Sequence, residues 1–148
     1  MSTMTTKVKW VSGLRFIAGS GSGHGAIMDG SKTASSEETL GPSPMEMVLM
    51  GLGGCSGIDV MHILKKMRQP VTGCQVELEG ERAEDTPRVY KKIHLIYTIS
   101  GNNLSQQRVE EAVRLSNEKY CSVSVMLNTS VELSREVMII EDSVVNLK

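Results

Sequence analysis

Three thiols, Cys55, Cys74 and Cys121, are the side chains in this chain best suited to covalent chemistry. Cys55 lies in a long apolar run, and on a helical wheel Val48, Gly51, Asp59 and His62 fall within about 40° of it, with Ser56 bordering the same arc. The few polar groups of that run therefore gather beside a sulfur. Cys121 opens a short apolar piece that can restart as a helix, where free N–H groups, the helix dipole and a nearby Lys119 would favour a thiolate. Cys74 alternates with Val76 and Leu78 and reads as a small, inward-pointing core residue. A core residue is also the alternative reading of Cys55. If Cys55 and Cys121 meet, which sequence alone does not show, they suit a two-step redox cycle. A thiolate attacks the distal oxygen of a peroxide, becomes a sulfenic acid and is resolved by the second thiol as a disulfide. Asp59, one turn from Cys55, opposes the thiolate unless a cation intervenes, and Arg15 in the second N-terminal strand is the candidate cation.

The element that must carry Cys55 begins at Ser43-Pro44-Met45-Glu46, where Ser43 and Glu46 are spaced as a capping box and Pro44 occupies a first helical position. A helix is expected from Pro44 to about Gln69, stopped by Pro70 and buried on most sides. Gly51, Gly53, Gly54 and Gly57 each cost roughly 1 kcal/mol of helix propensity, which suggests that another backbone or a ligand comes close. Upstream, Lys7 to Val11, Leu14 to Ala18 and Gly25 to Met28 read as a three-stranded antiparallel meander, and Ser31 to Leu40 as a mobile loop. Gly19 to His24 matches a dinucleotide fingerprint by letter only and reads as a turn. Downstream, a strand through Cys74, Val76 and Leu78 returns as Val89 to Ile99, with Ile93, Leu95, Tyr97 and Ile99 inward and His94 on the opposite face. Ser105 caps a second helix with Val109, Ala112, Val113, Ser116 and Tyr120 on one face and a Glu110–Arg114 pair. Val131, Leu133, Val137 and Ile139 fit a last strand.

Length and composition set bounds. At 148 residues with 40% hydrophobic content, the chain fits a single domain over residues 1–148. Sixteen basic residues against seventeen acidic ones give no electrostatic case for nucleic acid or an anionic membrane. Three cysteines without CxxC spacing suggest neither a secreted disulfide framework nor a zinc site, and a reducing cytoplasm fits them. Residues 1–9 lack the apolar core of a signal peptide. Met45 to Leu64 is long enough to raise a membrane question, but it contains Asp59, His62 and four glycines, so no membrane span is expected.

Gly41-Pro-Ser-Pro-Met-Glu46, Gly53-Gly-Cys-Ser-Gly-Ile-Asp-Val60 and Ser116-Asn-Glu-Lys-Tyr-Cys-Ser-Val123 together resemble the OsmC/Ohr family of thiol peroxidases, within it most nearly the YhfA-like branch. The resemblance spans almost the whole chain. It implies an α+β fold forming an intertwined homodimer, with two central helices wrapped by antiparallel sheets and active sites at the subunit interface. It implies peroxidatic Cys55 and resolving Cys121, an organic hydroperoxide substrate and recycling by a small or protein dithiol, without metal, haem or flavin. One departure stands out. Family peroxidases carry a Glu ten residues before the first Cys, paired with an Arg from the N-terminal strands, and here that position is Met45. Arg15, Glu46, Asp59 and His62 are the candidate supporting residues, although Glu46 lies about 180° around the helix from Cys55. Two other functions fit the same frame: a non-catalytic protein that binds a hydrophobic small molecule, and a thiol redox sensor.

Overall fold

The computed structural model describes residues 2–30 and 38–142, so most of the loop expected over residues 31–40 lies outside the described residues. Two compact units are present, Met1–Val48 and Leu49–Lys148, with the boundary inside the first helix.

The first unit holds the expected antiparallel meander of β1 (Thr6–Ser12), β2 (Arg15–Ser20) and β3 (Gly25–Asp29). Gly13 adopts φ +51°, which a β-carbon disfavours, and so allows the tight reversal between β1 and β2. Arg15 and Asp29 are cross-strand partners, and Arg15 Nε donates to Asp29 Oδ2 at 2.9 Å. The same oxygen accepts from the Leu40 amide at 3.0 Å. Asp29 is almost fully buried, and a carboxylate withdrawn from water is costly unless paired, so these bonds tie β2 and β3 to the segment entering the helix.

Helix α1 (Pro44–Lys66) starts with both halves of the capping box: Glu46 N–H donates to Ser43 Oγ (3.2 Å) and Ser43 N–H to Glu46 Oε2 (2.7 Å). It ends before the expected Gln69. Arg68, at φ 57°, takes the left-handed position of a helix terminus, with Arg68 N–H donating to Lys65 O and Gln69 N–H to Leu64 O.

In the second unit β4 (Val71–Arg82) and β5 (Tyr90–Gly101) form the expected hairpin, and the chain then passes through α2 (Gln106–Leu115), a π-helical turn (Ser116–Tyr120) and α3 (Ser122–Leu127) to β6 (Glu132–Glu141). β6 pairs with β5 in parallel. The expectation of purely antiparallel sheets is thus corrected: the intervening helices form a crossover that returns the chain to the same end of the sheet. Ile93, Leu95, Tyr97 and Ile99 are fully buried on one face of β5, each aliphatic side chain worth about 1.5–3 kcal/mol. Leu52, Val60 and Leu64 of α1 and Val109, Ala112 and Val113 of α2 complete this core. A β-carbon on Gly53 would meet Leu78 Cδ1 at 2.6 Å and one on Gly57 would meet Val76 at 3.6 Å, so these glycines let α1 lie against β4.

Other expectations fail in instructive ways. α1 is buried along one face only: Met50, Ile58 and Met61 are exposed, and β-carbons on Gly51 and Gly54 would meet nothing within 4 Å. Tyr120 is exposed, because the extra residue of the π-helical turn rotates it off the face shared by Val109, Val113 and Ser116. Arg114 pairs with Glu111 and Glu118, while Glu110 accepts from Gln106. Cys74 shares its strand face with Val76 and Leu78 but is exposed, near the end of β4 where the hairpin register shifts. His94 is, as expected, a cross-strand surface residue, with Nδ1 2.7 Å from Ser134 Oγ and Nε2 3.6 Å from Glu136.

Candidate functional site

The second unit brings Cys55 and Cys121 together. Cys55 is half-buried in the middle of α1, and Cys121 is fully buried between the π-helical turn and α3. Their sulfurs and a carboxylate oxygen of Asp59 all lie within 4.8 Å of one another. Asp59 follows Cys55 by four positions on the same helix, and this spacing stacks the two on one side.

Cys121 is placed by its neighbours in sequence. The π-helical turn ends with Cys121 N–H donating to Ser116 O at 2.8 Å. Extended backbone at Cys121 then makes it the N-cap of α3, and Ser124 N–H donates to its sulfur at 3.4 Å. The helix restart was expected, but its effect on the thiol was not. Burial pushes the Cys121 thiol above its ordinary pKa, the Ser124 hydroxyl and amide pull it down, and the neighbouring Cys55 thiol adds to the rise. Desolvation wins over the helix terminus. Lys119, expected as a helper, is exposed with its ammonium over the Tyr120 ring at 5.3 Å.

Behind the sulfurs runs a buried chain of hydrogen bonds that sequence reasoning missed. Ser56, the residue after Cys55, shares hydrogen bonds with Tyr97 Oη (2.5 Å) and Ser116 Oγ (2.9 Å). Ser116 Oγ also donates to Ser56 O at 3.2 Å. Asn117 Nδ2 donates to Tyr97 Oη (2.8 Å) and to Val113 O (2.9 Å), while its Oδ1 accepts from Ser124 Oγ (3.3 Å). The chain therefore links Ser56, beside one thiol, to Ser124, whose N–H donates to the other. Burial raises the Tyr97 pKa, so the phenol stays protonated and available to this network. A tyrosine on the core face of a strand was the available signal, because its hydroxyl needs a partner once buried.

The supporting candidates divide. Asp59 joins the thiols, and its Oδ2 is buried with no hydrogen-bond partner among the described residues. Such an orphaned acceptor costs on the order of 1–3 kcal/mol. His62 is exposed on α1 and lies outside the Cys55–Asp59–Cys121 group. Arg15 is engaged with Asp29 in the first unit, and Glu46 with Ser43 at the start of α1. Cys74, exposed on β4, also lies outside the group.

On a helical wheel Cys55, Asp59 and His62 lie between the buried arc of α1 (Leu52, Ser56, Val60) and its exposed stripe (Met50, Gly51, Gly54, Ile58, Met61). The helix is long and apolar enough to cross a membrane by length and composition, with 28% of its most apolar window buried. Its buried arc instead packs on β4 through Gly53 and Gly57.

Comparison with known proteins places these features in a family. The chain is 48% identical over 131 residues to protein YhfA of Escherichia coli K12, covering 88% of this chain and 94% of that one. A solved structure of a hypothetical protein from Aquifex aeolicus VF5 is 32% identical, with a TM-score of 0.84 over 97% of this chain and 100% of that one. The organic hydroperoxide resistance protein OhrB of Bacillus subtilis has the same fold at 17% identity, with a TM-score of 0.63 over 93% of this chain and 98% of that one. A family model described as OsmC-like protein matches residues 35–136. Paired thiols on a long capped helix and a restarted short one are thus set in an α+β chain that belongs to the OsmC-like family.

Proposed function

We propose that this protein is a cytoplasmic, cysteine-based peroxidase that reduces organic hydroperoxides, with Cys55 attacking and Cys121 resolving. The observation that carries the proposal is the meeting of two sulfurs from distant parts of the chain, one half-exposed and one buried. Cys55 is the sulfur a peroxide can approach, being half-buried where Cys121 is fully buried. The Cys55 thiolate attacks the distal peroxide oxygen, the O–O bond breaks, and the alcohol leaves with a proton. Cys121 then attacks the Cys55 sulfenic acid, releasing water and closing the disulfide. A small or protein dithiol reduces that disulfide by exchange, and no resident metal, haem or flavin is needed. The raised pKa of Cys121 suits it to the second role, since it stays protonated while Cys55 reacts.

The working unit in this proposal is a homodimer. The stripe Met50, Gly51, Gly54, Ile58 and Met61 recurs at three- and four-residue spacing on one side of α1, with two glycines toward its N-terminal half. A second copy of the same helix crossing at Gly51 and Gly54 would cover it. Cys55 and Asp59, at its border, would then lie beside the seam.

The test is stopped-flow oxidation of the reduced protein by cumene hydroperoxide and by hydrogen peroxide. The proposal predicts fast oxidation that favours the organic peroxide and disappears in Cys55→Ser. Rates no better than those of free cysteine would refute it, and would mean that Met45 in place of the family's glutamate has removed the activity.

A further inference from the structure

We infer that the reduced protein binds one zinc ion per chain through Cys55, Cys121 and Asp59. Two sulfurs and one carboxylate oxygen within 4.8 Å of one another form a donor set that suits a borderline-soft, tetrahedral cation. With Zn–S near 2.3 Å and Zn–O near 2.0–2.2 Å, tetrahedral ligands stand roughly 3.3–3.8 Å apart, so small side-chain rotations close the site. The second observation is Asp59 itself. Its Oδ2 is buried and has no hydrogen-bond partner among the described residues, and zinc would provide one. Electrostatics agrees. Two thiolates and a carboxylate together strongly attract a dication.

Binding is a ligand exchange with no redox step. Zinc takes the two sulfurs and one Asp59 oxygen, the two thiols release two protons, and water keeps the fourth position. Both thiols must lose their protons to bind, so affinity rises with pH. Bound zinc occupies the lone pair by which Cys55 would attack an electrophile, so the metal masks this thiol.

The test uses full-length reduced Cys74→Ser protein, which lacks the exposed competing thiol, titrated with zinc against a chromophoric chelator. One equivalent per chain is expected, with affinity falling about 10–100-fold in Asp59→Asn and lost in Cys121→Ser. Cobalt in place of zinc should give a thiolate-to-metal charge-transfer band that Cys55→Ser removes. Because a variant can fail to fold, zinc should also slow alkylation of Cys55 in the Cys74→Ser protein itself, and prior alkylation should abolish metal uptake. Unchanged affinity in Asp59→Asn, zinc uptake by the alkylated protein, or no binding at one equivalent would overturn the inference. All readouts are taken without peroxide, so the peroxidase proposal and the zinc site stand or fall separately.

Discussion

The Cys55 and Cys121 sulfurs lie within 4.8 Å of one another, yet they occupy opposite environments. Cys55 stands in the middle of a 23-residue helix at the edge of its exposed stripe, held in register by a capping box at one end and a left-handed Arg68 at the other. Cys121 is buried at the start of a 6-residue helix and is fixed by hydrogen bonds to Ser116 and Ser124. One sulfur is accessible on a rigid element; the other is shielded and held protonated by burial. This contrast supports the proposed division of roles, whereas dipole reasoning alone would make Cys121 the reactive thiol.

The comparison can be broken most severely by removing each sulfur. Cys55→Ser should abolish peroxide-dependent oxidation. Cys121→Ser should leave the first step intact and accumulate a sulfenic acid that dimedone traps, while Cys74→Ser should change neither, as read by intact mass. A fast first step in Cys55→Ser would reverse the assignment.

A smaller effect is expected from the network behind the pair. Asn117→Ala removes the partner of Tyr97, Val113 and Ser124 at once and leaves buried groups unpaired, which should cost about 2–4 kcal/mol in a denaturant melt. It should also slow disulfide closure, measured by single-turnover quench. A stability loss with closure unchanged would make the network purely structural.

The pH dependence sharpens the same contrast. Because the folded pKa of Cys121 is raised, the native state keeps a proton that the unfolded chain loses, so ν for the native state exceeds ν for the unfolded state above the ordinary thiol value of about 8.5. Stability should be fully present below that pH and fall as pH rises through the folded value; Tyr97, also raised, adds to the fall at higher pH. Chemical melts between neutral and alkaline pH check the sign, and Cys121→Ser should flatten part of the slope. Disulfide closure, which needs the Cys121 thiolate, should speed up over the same range.

The smallest effect concerns the exposed stripe. Gly54→Ala should add about 1 kcal/mol of helix propensity in a lone chain but weaken association if a second α1 crosses there. Light scattering with a thermal melt distinguishes these outcomes, and a more stable protein of unchanged mass would remove the dimer proposal.

Much of the local structure was legible because its determinants are local. The spacing of Ser43 and Glu46 set the start of α1, and alternation set the buried face of β5. The failures share a different cause. Cys74 keeps its strand parity, but parity gives a face and not depth, and the residue is exposed beside the register shift at Val71–Gly73. Tyr120 was misplaced because a π-helical turn shifts the period by one residue, and nothing in Ser116-Asn-Glu-Lys-Tyr120 announces it. The parallel pairing of β6 depends on a crossover that periodicity does not encode. At the site, the glycine-rich thiol helix and the helix restart near Cys121 could be read directly. Its link to Tyr97 and Asn117 could not, because those contacts join residues twenty or more positions apart.

The most direct test of the central claim is to add one equivalent of cumene hydroperoxide to the reduced protein, block free thiols by alkylation and map peptides without reduction. The account predicts a Cys55–Cys121 disulfide with Cys74 alkylated. A disulfide through Cys74, or Cys55 oxidised beyond sulfenic acid while Cys121 remains alkylatable, would contradict it.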